Sequence, residues 1–229
     1  MRYLILLLLS LICLNSSHSQ IYEVGGFVGG SNFIGDVGAT NYISPNTAAL
    51  GLMLKWNRSP RHSWRVSVIY ADLKGYDKDS DDPRRIQRNY EFDSNLLEFS
   101  AGMEFTFFDF DLHTSEMKVT PYLYSGISVA KHDNFYYDLN GDIVDENTSS
   151  WAYGIPITLG IKTNITNHII LGAEIGARYT FSDEIDGSVP DGDFNGQFSI
   201  GNTNSNDWYV FTGLTLTYTF GQRPCYCNF

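Results

Sequence analysis

The stretch His168–Phe181 reads HIILGAEIGARYTF. Ile169, Leu171, Ala173, Ile175, Ala177, Tyr179 and Phe181 share one parity, against His168, Ile170, Gly172, Glu174, Gly176, Arg178 and Thr180 on the other. Alternation with a period of two predicts a β-strand. Its second face sets single charges between glycines, where a wetted sheet face carries a mixture of Lys, Glu and Thr. That face therefore points into a confined space, and the oily face meets something other than water.

The same asymmetry recurs along the chain, in eight segments at roughly 21–31, 47–57, 63–73, 92–107, 118–131, 151–163, 168–181 and 207–220. In the second, Leu50, Leu52, Leu54 and Trp56 oppose Ala49, Gly51, Met53 and Lys55. In the fourth, Leu97, Phe99, Ala101, Met103, Phe105 and Phe107 oppose Glu98, Ser100, Gly102, Glu104 and Thr106. The sixth sets Ile155, Ile157, Leu159 and Ile161 against Pro156, Thr158, Gly160 and Lys162. No helical apolar period of useful length lies between the segments.

The connections alternate too. Those after the first, third, fifth and seventh segments are long and rich in Asp, Asn, Gly and Ser, whereas those after the second, fourth and sixth are shorter. Short turns on one rim, long loops on the other and an even strand number predict an all-β fold, an eight-stranded antiparallel up-and-down transmembrane β-barrel. A secreted sandwich also alternates, but its strands are shorter and its wetted faces hold less Gly, Ala and Ser. A small barrel requires those residues, since its interior is barely wide enough for side chains. Leu52, Phe99, Ile157 and Ile175 are expected to face lipid, and a serine at Gly160 to be tolerated better than an arginine at 157 or 175. Trp56, Trp64, Tyr70, Phe107, Trp151, Tyr179, Trp208, Tyr218 and Phe220 lie near segment ends, where interfacial girdles form.

Composition agrees: 21 glycines, 15% aromatic and only 18% charged residues in 229. The start, MRYLILLLLSLICLNSSHSQ, has a basic residue, an apolar run too short to span a bilayer and a small-x-small pattern at Ser17–Ser19. Residues 1–19 are predicted to be a signal peptide, 20–220 the barrel and 221–229 a periplasmic tail. Cys13 follows a bulky Ile12, a poor context for lipidation. Loss of Arg2 with the signal takes the net charge from −11 to −12, which argues against nucleic acid as a partner. Only Cys225 and Cys227 remain, so no disulfide framework can staple the body.

With the second face of each segment inward, Lys55, Arg65, Glu98, Glu104, Lys162, Glu174 and Arg178 gather inside one narrow lumen. Buried charges must pair, so this cluster reads as a plug that fixes register rather than as a conducting site. No catalytic residue, cofactor or metal site is predicted, and the protein is expected not to be an enzyme. His62, His113, His132 and His168 are scattered without matching nucleophiles. Asp138–Glu146, DLNGDIVDE, only loosely resembles a calcium loop, its glycine being fourth rather than sixth. Gly25-Gly26 and Gly29-Gly30 lack the lysine of a phosphate loop and read as close packing.

Several stretches together carry a resemblance: IYEVGGFVGGSNFIGDVG at Ile21–Gly38, TPYLYSGISV at Thr120–Val129, GAEIGARYTFSDEIDGSV at Gly172–Val189 and the tail GQRPCYCNF. The chain resembles the PorG-like outer-membrane barrels of the type IX secretion and gliding machinery of Bacteroidota. The resemblance implies a non-enzymatic component in outer-membrane lipid; the barrel plan itself puts both termini on the short-turn side, the periplasm. Its partners would be a periplasmic ring lipoprotein and associated secretion subunits. The tail departs from the expected single cysteine by its Cys-x-Cys pair, and Arg223, Cys225, Tyr226, Cys227 and Phe229 are its candidate partner-binding residues. The alternative is a free-standing small barrel acting as porin, adhesin or lipid-modifying enzyme.

Overall fold

The computed structural model describes residues 21–111, 117–190, 195–202 and 205–221. Eight strands follow in chain order: β1 (Ile21–Ile34), β2 (Thr47–Asn57), β3 (His62–Tyr76), β4 (Glu91–Thr106), β5 (Val119–Tyr137), β6 (Ile143–Asn164), β7 (Ile169–Thr180) and β8 (Trp208–Phe220). Each pairs antiparallel with its neighbours, and β1 pairs with β8 from Tyr22↔Phe220 to Ile34↔Trp208, closing the barrel. Closure leaves no edge within the barrel wall, as a spanning sheet in hydrocarbon requires. Among the described residues no helix is long and apolar enough to cross a membrane.

The outside is oily. Val24, Val28, Leu54, Val66, Phe99, Ile155, Ile157, Leu159, Ile175, Leu214 and Leu216 are all exposed on it, and Leu52 and Ile127 are 73% and 71% exposed. This apolar belt faces lipid. Aromatic side chains bound it at the short-turn end (Tyr22, Trp64, Phe107, Tyr218, Phe220) and at the other (Tyr70, Trp151, Tyr153, Phe181). The inside reverses the polarity of the outside: Ser31, Ser63, Ser67, Ser100, Thr158, Thr180, Thr215 and Thr217 are buried there with the charged residues.

The rims differ. β2–β3 and β6–β7 are joined by residues 58–61 and 165–168, while 35–46, 77–90 and 181–207 form long loops opposite. At the start of the β4–β5 connection, Phe110 N–H is bonded to the Pro60 carbonyl at 3.1 Å and its ring is buried. The β3–β4 loop carries α1 (Pro83–Arg88), started by the Asp82 carboxylate accepting from Arg84 N–H at 2.9 Å and ended at Asn89 in the left-handed region. The β7–β8 loop holds a single turn, α2 (Asn195–Phe198).

One connection departs from expectation. The long loop expected after the fifth segment is instead a hairpin, because β5 and β6 run on past the barrel to a turn at residues 138–142. Phe135 and Tyr137 have the outward parity of β5, but a register irregularity between Asp133 and Phe135 turns them inward, where their rings meet Phe92 and Tyr90, the latter pair stacked at 4.6 Å. At the tip, Asp138 accepts from Asn140 and Asp142 N–H at 2.8 and 2.9 Å, and Gly141 takes φ +89°. The stretch that loosely resembles a calcium loop is therefore a hairpin turn, with this carboxylate engaged by backbone.

Candidate functional site

All seven charged residues assigned to the lumen are buried inside it. Three tiers are distinguishable by distance along the strands. Nearest the short-turn rim, Lys55, Glu104 and Lys162 are each the third-last residue of their strands. Lys162 Nζ donates to Glu104 Oε1 at 2.6 Å, and Lys55 Nζ lies 2.7 Å from Oε2 as an ion pair. Phe110 lies below, its ring centre 5.0 Å from Lys162 Nζ.

In the middle tier, Arg65 holds Glu174 bidentately, Nη1 to Oε2 at 2.7 Å and Nη2 to Oε1 at 2.8 Å. Tyr122 Oη donates to the same Oε2 at 2.6 Å, and the guanidinium lies 4.8 Å from the centre of the Tyr124 ring. Parallel N–H···O bonds from a planar guanidinium are among the strongest charge-assisted contacts a protein makes. Higher still, Arg178 Nε reaches Glu98 Oε2 at 3.2 Å, Tyr209 Oη donates to that oxygen at 2.7 Å, and Arg178 covers the Phe211 ring at 4.4 Å.

Glu23 also belongs to this interior and is not among the seven residues expected from the sequence. It is buried on β1, accepting from Asn57 Nδ2 at 2.7 Å and Thr217 Oγ1 at 3.0 Å. Four cations thus share the lumen with four carboxylates. A signal for it exists, since Glu23, Gly25, Phe27, Gly29 and Ser31 share a parity, but glycines on both faces of β1 blur it. Above the charges, Phe27, Ile69, Leu73, Phe92, Leu96, Phe135 and Ile185 pack into one buried apolar cluster in the long-loop half of the lumen.

Gly160 has a steric role that alternation alone does not show. It lies opposite Tyr122 in the β5–β6 register, and a Cβ there would sit 2.3 Å from the Tyr122 ring. The glycine makes room for the tyrosine that holds Glu174, so a serine is not benign. His132 is buried, His62 and His168 are exposed at the short-turn rim, and His113 lies outside the described residues. So do the tail residues Arg223, Cys225, Tyr226, Cys227 and Phe229.

The long loops close over the apolar cluster and are tied by carboxylates. Asp77 accepts from Gly38 and Tyr90 N–H and pairs with Arg88 Nε at 2.7 Å. Arg85 donates to the Gly35 and Gly38 carbonyls at 2.9 and 2.8 Å. Asp186 accepts from Asp36, Val37 and Ser188 N–H, joining the last loop to the first. Asp207 Oδ2 accepts from Ile185 N–H at 3.0 Å. Burial, with neighbouring Asp186 and Asp183, pushes the Asp207 carboxyl well above the usual range. Burial, then Asp186 and Asp36, pushes Asp183 up to about 7. Asp186 is raised by burial against the pull of its N–H donors.

The fold has solved relatives in shape. Neisserial surface protein A is 13% identical, with a TM-score of 0.46 over 89% of this chain and 98% of that one. A major outer membrane protein from Thermus thermophilus (12%, 0.46, 89% and 100%) and the N-terminal barrel domain of Pseudomonas aeruginosa OprF (12%, 0.45, 90% and 100%) are similar to the same extent. Likeness at this level concerns the shape of a barrel and says nothing of its role. No curated protein sequence matches the chain. A family model does match, over residues 2–229, and the chain belongs to the family it describes, the domain of unknown function DUF6089.

Proposed function

We propose that the protein is a non-enzymatic outer-membrane barrel that seats a type IX secretion complex, contacting a periplasmic ring of lipoprotein and associated subunits through its short-turn rim and tail. The observation that supports this reading is the lumen: its carboxylates are bonded to lumen cations or side-chain donors, and apolar side chains fill the space above. Such an interior reads as internal support, which puts the working surfaces on the rims. β1 begins and β8 ends at the short-turn rim, the periplasmic side in barrels with long external loops. The tail after Phe220 would then extend toward the periplasm, where Cys225 or Cys227 forms a disulfide with a neighbouring subunit. The resemblance of Ile21–Gly38, Gly172–Val189 and the tail to the PorG-like barrels supplies the identity of the complex.

The test is affinity purification from detergent-solubilised outer membrane with identification of the co-purifying proteins. Periplasmic lipoprotein and ring subunits should come down with the barrel, and a higher-mass adduct should appear on non-reducing gels and vanish in a Cys225→Ser, Cys227→Ser double variant. Recovery of the barrel alone would favour the free-standing reading, and stable conductance in planar bilayers would point to a porin.

A further inference from the structure

The β1–β2 loop has two halves. Residues 35–38 turn over the mouth, where Val37 and Gly38 are buried and their N–H groups donate to Asp186 and Asp77. Residues 41–46 come back along the outer wall, and β1 shows where. Tyr22, Val24 and Val28 are exposed on the lipid-facing side, and Gly30 and Asn32 share their parity. Asn32 is nonetheless only 3% exposed, because the loop lies on it: Nδ2 donates to the Asn41 and Tyr42 carbonyls at 2.9 and 3.4 Å, and Oδ1 accepts from Ser44 N–H at 3.4 Å. Gly30 lies beneath Pro45, since a Cβ on the glycine would sit 2.6 Å from the Pro45 Cβ. Asn46 N–H closes the segment onto the Ser31 carbonyl at 3.0 Å.

The tip of this segment is apolar and turned outward: Tyr42 is 72% and Ile43 59% exposed. Its level on the wall follows from the register. Gly30 pairs with Ala48, two residues from Leu50, and Leu50 pairs with Tyr70 of the aromatic girdle. Two residues span about 7 Å of strand, so the tip stands close to the girdle. The wall beneath has no anchor of its own, because Val28, Gly30, Ala48 and Leu50, the outward residues of β1 and β2 at this end, include no aromatic. The backbone is also prepared for an apolar layer. The Asn41 and Tyr42 carbonyls and the Ser44 and Asn46 N–H groups are bonded to β1, as entry into a medium poor in water requires.

We propose that residues 41–46 are a membrane-contact element, with Tyr42 and Ile43 set into the boundary between headgroups and acyl chains of the leaflet on the long-loop side, and Asn32 holding the segment there. The occupant is lipid, because the pair continues the belt formed by Val28, Leu50 and Tyr70 and stands on the wall, away from the mouth. A tyrosine suits that depth, its ring meeting acyl chains and its hydroxyl the headgroups. The element extends the girdle around the two strands that lack it and pins the first loop to the membrane surface.

The test uses the full chain in phosphatidylcholine nanodiscs, which leave both faces open to solutes. Its three cysteines are replaced (Cys13→Ser, Cys225→Ser, Cys227→Ser), and Ile43→Cys carries an environment-sensitive fluorophore. Lipid bearing a nitroxide near the glycerol end of its acyl chain should quench the label by about half, and more strongly than lipid bearing it at the chain terminus. Iodide should quench about fivefold less than at Leu139→Cys on the exposed β5–β6 tip. Leu52→Cys on the belt gives the reference for a site deep in the acyl layer. Asn32→Ala should raise iodide quenching at position 43 by about threefold while the unheated protein keeps the gel mobility of a folded barrel. Gly30→Ala, whose methyl pushes Pro45 off the wall, should do the same without removing a side-chain hydrogen bond. Equal iodide quenching at positions 43 and 139 would overturn the proposal by placing the tip in water. So would shielding from iodide with no response to either nitroxide lipid, which would mean a cover of protein. Lipid quenching left unchanged by both Asn32→Ala and Gly30→Ala would overturn the role given to Asn32.

Discussion

The lumen and the loop cap are both buried and both rich in carboxylates, but they resolve the problem differently. In the lumen, Glu98, Glu104 and Glu174 each meet a guanidinium or ammonium group on another strand. In the cap, Asp183, Asp186 and Asp207 meet backbone amides or nothing. Ion pairs between rigid strands fix which strand faces which, because a shift of register would separate both charges. Carboxylates on loops, held by amides, instead tie the backbone of one loop to that of another. The barrel is thus held by charge between side chains, and its cap by carboxylates on backbone donors.

Breaking one lumen pair should have the largest effect. Glu174→Ala strands Arg65 and the Tyr122 hydroxyl in a closed interior and should destabilise by about 3–5 kcal/mol, read by urea unfolding in micelles. An Arg65→Met, Glu174→Leu double variant should recover most of the loss, since an apolar pair of similar volume often matches a buried ion pair. If the double variant were as unstable as the single one, pairing would not be what Glu174 supplies.

Next in size is the outer face. Ile157→Arg or Ile175→Arg should cost about 2–4 kcal/mol in bilayers, against less than about 1 kcal/mol for Thr at the same positions. Gly160→Ser should cost about 1–3 kcal/mol, because the added atoms overlap the Tyr122 ring. Combining it with Tyr122→Phe should leave the steric part of that loss, while Tyr122→Ala should relieve it.

These positions also mark where the sequence is legible. The boundaries of β2, β4 and β7 and the two faces of β2, β4, β6 and β7 follow from alternation alone, because lipid outside and a narrow space inside impose opposite demands at every step. The pairing of Arg65 with Glu174, and of two lysines with Glu104, depends on the stagger of strands around the barrel, which no single segment encodes. The apolar upper lumen escapes the reading because Phe27, Leu73, Phe92 and Leu96 have inward parity but not the small or charged character expected there, while Phe135 reaches it only through the register shift after Asp133. The β5–β6 extension is hidden by Asp and Asn that suit a loop as well as a hairpin. Burial of Asp186 and Asp207 is invisible for the same reason, since acidic loop residues are ordinarily solvated.

The smallest expected effect is the sharpest test of how the lumen works. Glu23 differs from its three neighbours in having no cation within ion-pair distance among the described residues; it is held by Asn57 and Thr217. If stability depends on specific pairs, Glu23→Gln keeps a carbonyl acceptor for Asn57, loses part of one hydrogen bond and should cost about 1 kcal/mol or less. If it depends on the neutrality of the whole interior, the same change leaves four cations facing three carboxylates and should approach the cost of Glu174→Gln. Lys55 decides between them, since it lies opposite Glu23 in the β1–β2 register but bonds across the lumen to Glu104. That choice of the distant carboxylate over the adjacent one favours specific pairs, so Glu23→Gln should unfold within about 1 kcal/mol of wild type, and an equal loss in both glutamine variants would show the lumen to be governed by its total charge.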